Sequence, residues 1–143
     1  MKQHILVVDD EVQIRELLGL YLSRQGYQVY TAATSEETLR IIGQERIDLV
    51  VLDIGLAKED GLAVLALIKG KHPNLCVVML TGMGFVEDLL QQALHLGADG
   101  YVSKVLPLDE LLLTVRRILN PQEAEESLLS QSRAVGHPTG VAA

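Results

Sequence analysis

Ile5-Leu6-Val7-Val8-Asp9-Asp10-Glu11 is an unbroken apolar run that stops abruptly on three acids. A strand covered on both faces needs apolar side chains in both pleat directions, so the run predicts an inner strand of a parallel sheet. The same shape returns at Leu49–Leu52, which stops on Asp53, and at Leu75–Leu80, which stops on Thr81-Gly82. Two further runs, Tyr27–Thr31 and Tyr101–Ser103, mix polar with apolar residues and suit edge strands; the second is followed by Lys104.

Between these runs the apolar residues change period. Ile14, Leu17, Leu18, Tyr21 and Leu22 share one face of a helix, as do Val86, Leu89, Leu90, Ala93 and Leu94, and Leu108, Leu111, Leu112 and Val115. Gly26, Gly43 and Gly97 read as the stops of three helices, and His72-Pro73 and Asn120-Pro121 as the stops of two more. Ser35 is placed to cap a helix carrying Glu36 and Glu37 in its first turn, and Pro107 to open the last helix. Strand and helix thus alternate over residues 4–119. That pattern predicts an α/β fold: a five-stranded parallel sheet with helices on both faces, doubly wound in the flavodoxin-like order 2-1-3-4-5. In such sheets ligands bind at the carboxyl ends of the strands.

Composition agrees with one domain. The 143 residues are 48% hydrophobic but only 3% aromatic, so the core is aliphatic. A net charge of −7 argues against direct nucleic-acid binding. No apolar run approaches the ~20 residues of a membrane span, and the start lacks a signal-peptide layout. One cysteine, Cys76, cannot form an internal disulfide and reads as core; a cytoplasmic location is expected. Residues 1–120 read as the domain. Residues 121–143 have no sustained periodicity and read as a largely disordered polar tail or linker.

The strand ends hold the chemistry. Asp9, Asp10 and Asp53 would repel one another unless a cation neutralised them, and Mg²⁺ is the natural hard, oxygen-loving choice. An ionised carboxylate beside that cation can attack phosphorus and form an acyl phosphate. Lys104 would add positive charge, Thr81 a hydroxyl donor, and Gly82 open space. Plainer roles stand beside these. Asp9 or Asp10 could cap the first helix, Thr81 the helix after it, Lys104 could be a solvated loop residue, and Tyr101 could simply pack. His4, His72, His95 and His137 are scattered and are assigned nothing.

Val7-Val8-Asp9-Asp10-Glu11, Leu52-Asp53-Ile54, Asp60-Gly61, Leu80-Thr81-Gly82 and Gly97-Ala98-Asp99-Gly100-Tyr101-Val102-Ser103-Lys104 together resemble the receiver domains of two-component response regulators, over about residues 3–120. The resemblance implies that Asp53 accepts a phosphoryl group from a histidine kinase or phosphotransfer protein. It implies Mg²⁺, replaceable by Mn²⁺, held by Asp10 directly, by Asp9 partly through water, by Asp53, and by the backbone carbonyl of Gly55. Lys104 then binds phosphate, Thr81 is the switch hydroxyl, and Tyr101 swings inward when Thr81 engages. The state is read out on the fourth helix, fifth strand and fifth helix, a face that also suits a homodimer. Self-catalysed phosphotransfer and dephosphorylation are implied, not turnover of a separate substrate.

Two departures from the family pattern matter. Leu56-Ala57 stands where Met-Pro is usual, which loosens the loop. Val105, not proline, follows Lys104. A cis bond there would cost about 3–4 kcal/mol, so the Lys104–Val105 peptide is expected to be trans, with Lys104 reaching the phosphate less well. That departure keeps open a second function, a phosphorylation-impaired interaction domain. A phosphatase of the haloacid-dehalogenase type would need a second Asp where Gly55 stands, and a flavin binder would need a phosphate cradle in place of the acidic first loop. Arg116 and Arg117 could join Asp99 on a dimer face, or be merely solvated. The tail reads as a linker to a further effector domain.

Overall fold

Strand and helix alternate through the whole described chain: β1 (His4–Val8), α1 (Val12–Arg24), β2 (Gln28–Ala32), α2 (Ser35–Gln44), β3 (Leu49–Asp53), α3 (Gly61–Lys71), β4 (Cys76–Thr81), α4 (Glu87–His95), β5 (Gly100–Ser103) and α5 (Leu108–Leu119). The computed structural model describes residues 2–56, 58–82, 86–104 and 108–122. All pairings are parallel and the strand order is β2-β1-β3-β4-β5, the order expected from the alternation. The mixed runs are the two edges. The apolar runs are the inner strands, and β3 is buried along its whole length.

The pleat divides the core in two. Ile5, Val7, Leu49, Val51, Val78 and Leu80 face α1 and α5, meeting Leu18, Leu22, Leu111, Leu112 and Val115. Leu6, Val8, Val50, Leu52, Val77 and Met79 face the other side, meeting Leu62, Leu65 and Ile68 of α3 and Ala93 of α4. Each fully buried aliphatic side chain of this kind stabilises the fold by about 1.5–3 kcal/mol relative to exposure. The apolar helix stripes are wider than what is buried: Leu17 and Leu94 remain 49% exposed.

Several local expectations shift. Thr34, not Ser35, caps α2. Thr34 is still extended (φ −137°, ψ 164°) and its Oγ1 accepts the Glu37 N–H at 3.2 Å, whereas Ser35 has already entered the helix. Gly43 lies inside the last turn of α2 and does not end it. Gly26 and Gly97 do end helices, both at φ +100°, a region L side chains avoid. Cys76 opens β4 and is only part-buried, although it packs against the α1/α5 side of the core. Burial and the nearby Asp99 carboxylate push its thiol pKa up. Ala57, the Lys104–Val105 bond, Pro107 and the tail beyond Gln122 lie outside the described residues, and so do the expectations placed on them. Among the described residues no helix is long and apolar enough to cross a membrane.

Candidate functional site

Sheet register builds the site before any side chain is considered. Val8 pairs with Leu52, so the next residue on each strand, Asp9 and Asp53, emerges side by side. Across β3 and β4, Asp53 pairs with Leu80, and Thr81 pairs with Ser103. The ladder then runs one residue further, since the Lys104 N–H donates to the Thr81 carbonyl at 2.8 Å. The Lys104 backbone is therefore tied to the sheet through its own N–H.

The result is a compact acid cluster. Asp9, Asp10 and Asp53 each offer a carboxylate oxygen, and these lie within 4.8 Å of one another. Asp9 and Asp53 are buried, while Asp10 reaches solvent. The Lys104 ammonium lies 2.9 Å from Asp9 Oδ2 and 3.0 Å from Asp53 Oδ2. It also meets Glu11 Oε1 at 3.1 Å, a partner that the sequence did not single out. Lys104 thus lies in the acid pocket, as a positive charge at this strand end was expected to, while the expectation placed on the Lys104–Val105 bond falls outside the described residues.

Each buried acid is also held by backbone. Asp9 Oδ1 accepts the Glu11 N–H at 2.9 Å, and Asp53 Oδ1 accepts the Gly55 N–H at 3.0 Å. Glu11, the cap position of α1, makes no side-chain cap bond, so neither Asp9 nor Asp10 serves as the residue capping that helix. Burial raises the Asp53 pKa and the Asp9 charge adds to this; the Gly55 N–H and Lys104 oppose it. Burial works against the Lys104 ammonium, but hydrogen bonds to Asp9, Asp53 and Glu11 outweigh it and hold its pKa above the ordinary lysine range.

The remaining predicted residues lie on β4 and β5 or in the loops that follow the strands. Thr81 is 1% exposed at the end of β4. Tyr101 lies on β5 beside Met79, half-buried, with its hydroxyl inside the protein. Gly55 is exposed in the loop after β3. Among the described residues a Cβ at Gly82 would meet only Lys104 Cδ at 3.8 Å, an ordinary contact. Gly61 is the tighter position. A Cβ there would lie 2.4 Å from the Asp53 carbonyl oxygen and 2.6 Å from Ile54 Cα. Within the chain, Asp99 Oδ2 accepts from Lys69 Nζ at 3.0 Å and from the Val77 N–H at 2.9 Å.

The donor set fits a hard divalent cation. It consists of carboxylate oxygens from two strand ends, one buried on each strand and a third open to water. Lys104 neutralises part of the charge but leaves three acids and Glu11 around a single ammonium.

Comparison with known proteins agrees with this geometry. A family model described as the response regulator receiver domain matches residues 5–116. A protein of Cyanophora paradoxa named "Probable transcriptional regulator ycf27" is 43% identical over 122 residues, covering 85% of this chain and 50% of that protein. The chain spans about half the length of the curated relatives it matches. Among solved structures, a CheY-like receiver domain protein of Methanospirillum hungatei superposes with a TM-score of 0.79 at 31% identity, covering 87% of this chain and 99% of that one. A Burkholderia pseudomallei response regulator, solved with a phosphorylated aspartic acid, calcium ion and citrate, superposes with a TM-score of 0.74 at 28% identity, covering 89% of this chain and 74% of that one.

Proposed function

The chain belongs to the response regulator receiver domain family, and from that premise we propose that Asp53 accepts a phosphoryl group from a histidine kinase or phosphotransfer protein in a Mg²⁺-dependent step. One observation carries the reading: Asp9, Asp10 and Asp53 converge within 4.8 Å, with the Lys104 ammonium 3.0 Å from the Asp53 carboxylate.

In the proposed reaction an Asp53 carboxylate oxygen attacks the phosphorus of a phosphohistidine. The new O–P bond forms as the P–N bond breaks, and the bonding pair remains on the donor's imidazole nitrogen. Asp9, Asp10, Asp53 and the Gly55 carbonyl would hold Mg²⁺ (or Mn²⁺), which would neutralise charge on the transferring group. Gly55 N–H fixes one Asp53 oxygen, leaving Oδ2 as the attacking atom on the lysine side. Lys104 then trades a carboxylate partner for a phosphoryl oxygen, and Thr81 donates to another. Tyr101, one strand position from Val102 and facing Met79, follows Thr81 inward. That rearrangement of α4, β5 and α5 is a population shift biased by a few charge-assisted contacts. Water attack on phosphorus later releases inorganic phosphate and restores the carboxylate.

The half-length match to longer regulators supports reading the chain as the input half of a protein with an effector domain. The placement of Lys104 favours the phosphorylatable reading over an impaired interaction domain.

The test is intact-mass analysis after incubation with acetyl phosphate. With Mg²⁺ the protein is expected to gain one phosphoryl group, and with a chelator or in Asp53→Asn it is expected to gain none. Labelling that ignores Mg²⁺ or survives the substitution contradicts the proposal.

A further inference from the structure

The loop between β3 and α3, residues 54–60, follows directly from Asp53 and contains Gly55. No proline stiffens it. Its apolar residues Ile54 and Leu56 are buried, whereas Gly55 and Lys58 are exposed. At its base the Gly61 N–H returns to the Ile54 carbonyl at 3.1 Å. At its far end Glu59 reaches out of the loop altogether. One carboxylate oxygen accepts the Ser35 N–H at 2.9 Å, and the other accepts the Ser35 hydroxyl.

Ser35 is a firm post. It is the first residue of α2, and that end of the helix is fixed three further times. Thr34 Oγ1 accepts the Glu37 N–H, Glu37 Oε1 accepts the Ala33 N–H at 2.9 Å, and the buried Thr38 hydroxyl donates to the Thr34 carbonyl at 2.8 Å. A carboxylate is also favoured there by the positive end of the helix dipole. Both Ser35 bonds are charge-assisted, and together they lower the Glu59 pKa.

We propose that Glu59 is a positioning residue: by latching the β3–α3 loop onto Ser35 at the start of α2, it holds Gly55 in place to orient Asp53 and to complete the metal site. This rests on the site reading above. Gly55 is the link, because its N–H already holds Asp53 Oδ1 at 3.0 Å. A loop released at Glu59 lets Gly55 wander, and the acid cluster then pays for the ordering when the cation arrives.

The probe is Mg²⁺ alone, titrated into ¹⁵N-labelled full chain and followed by backbone amide shifts. Glu59→Ala is expected to weaken Mg²⁺ binding roughly tenfold, the low end of what losing an outer partner of a metal site costs. Ser35→Ala, which keeps the N–H donor, weakens it less and adds nothing further in the Glu59→Ala background. Glu59→Gln keeps an acceptor for Ser35 and restores most of the affinity. Wild-type affinity in Glu59→Ala, or a loss confined to thermal stability, overturns the latch while leaving the site intact. A Glu59→Gln variant as weak as Glu59→Ala, with Ser35→Ala unchanged, assigns the effect to charge alone and also overturns it. If Glu59→Ala does not fold, the Ser35→Ala and Glu59→Gln titrations decide by the same criteria. Absence of Mg²⁺ binding in the wild type overturns the site reading itself, and the latch with it.

Discussion

The Lys104 ammonium lies within 3.1 Å of an oxygen on each of Asp9, Glu11 and Asp53, so deleting it strands two buried carboxylates. Breaking a buried pair from one side typically costs about 3–5 kcal/mol. Lys104→Ala should therefore lose about 3 kcal/mol in urea denaturation without divalent cation, and saturating Mg²⁺ should recover most of it. A loss that Mg²⁺ leaves untouched would mean that the acids do not share a cation site. Gly61→Ala makes a different demand, because its Cβ would fall on the backbone of Asp53 and Ile54. Backbone cannot swing aside as a flexible side chain can, so the cost should reach the upper end of about 1–3 kcal/mol, read as a lowered thermal midpoint. The acids were legible in the sequence because apolar runs that stop on charge are conspicuous. Glu11 was not, since an acid after two acids looks like more of the same, and only the reach of Lys104 across from β5 gives it a partner. What the sequence left open about the lysine has a related reason. Sequence shows the residue after it, but not the hydrogen bond from its N–H to Thr81 that ties it to the sheet.

Each element's centre was easier to read than its ends. The aliphatic runs located β1, β3 and β4 within a residue, because burial on both faces leaves no other pattern. Helix starts were harder, as α2 shows: Thr34 and Ser35 are adjacent hydroxyls with equal capping chemistry. The choice belongs to the backbone, which turns helical one residue after Thr34. Thr34→Ala should accordingly cost about 1 kcal/mol in chemical denaturation, as loss of a cap bond usually does. A change within a few tenths would show that the Glu37–Ala33 bond alone secures the helix start. Gly43 misled because glycine near a helix end suggests a stop, yet its cost inside a solvent-facing last turn is only about 1 kcal/mol and is easily absorbed. The stripe on α4 misled in degree: Ala93 is fully buried, but Leu94 is half exposed, since a short helix at the sheet's edge has less to cover it.

Taken together, the strands act as a frame that brings charges from distant positions to one edge, and that frame was predictable from alternation alone. What lay beyond reach were links between segments far apart in sequence, such as Glu59 with Ser35, which no local period encodes. The frame accepts the repulsion among its acids as a cost of function, and a bound cation should relieve it. Mg²⁺ at a hundredfold excess over its dissociation constant stabilises a folded state by about 2.7 kcal/mol, which for a domain of this size raises the thermal midpoint by roughly 10 °C. The rise should shrink in Asp10→Asn, and an equal rise in both proteins would place the ion elsewhere. The proposed function requires above all that a single carboxylate, that of Asp53, be phosphorylated. Borohydride reduces an acyl phosphate to the alcohol, converting an aspartyl phosphate to homoserine. After acetyl phosphate and Mg²⁺, peptide mass analysis should find homoserine at position 53 and nowhere else. Homoserine at position 9 or 10, or phosphate that stays on a histidine while residue 53 remains aspartate, would contradict the assignment of Asp53.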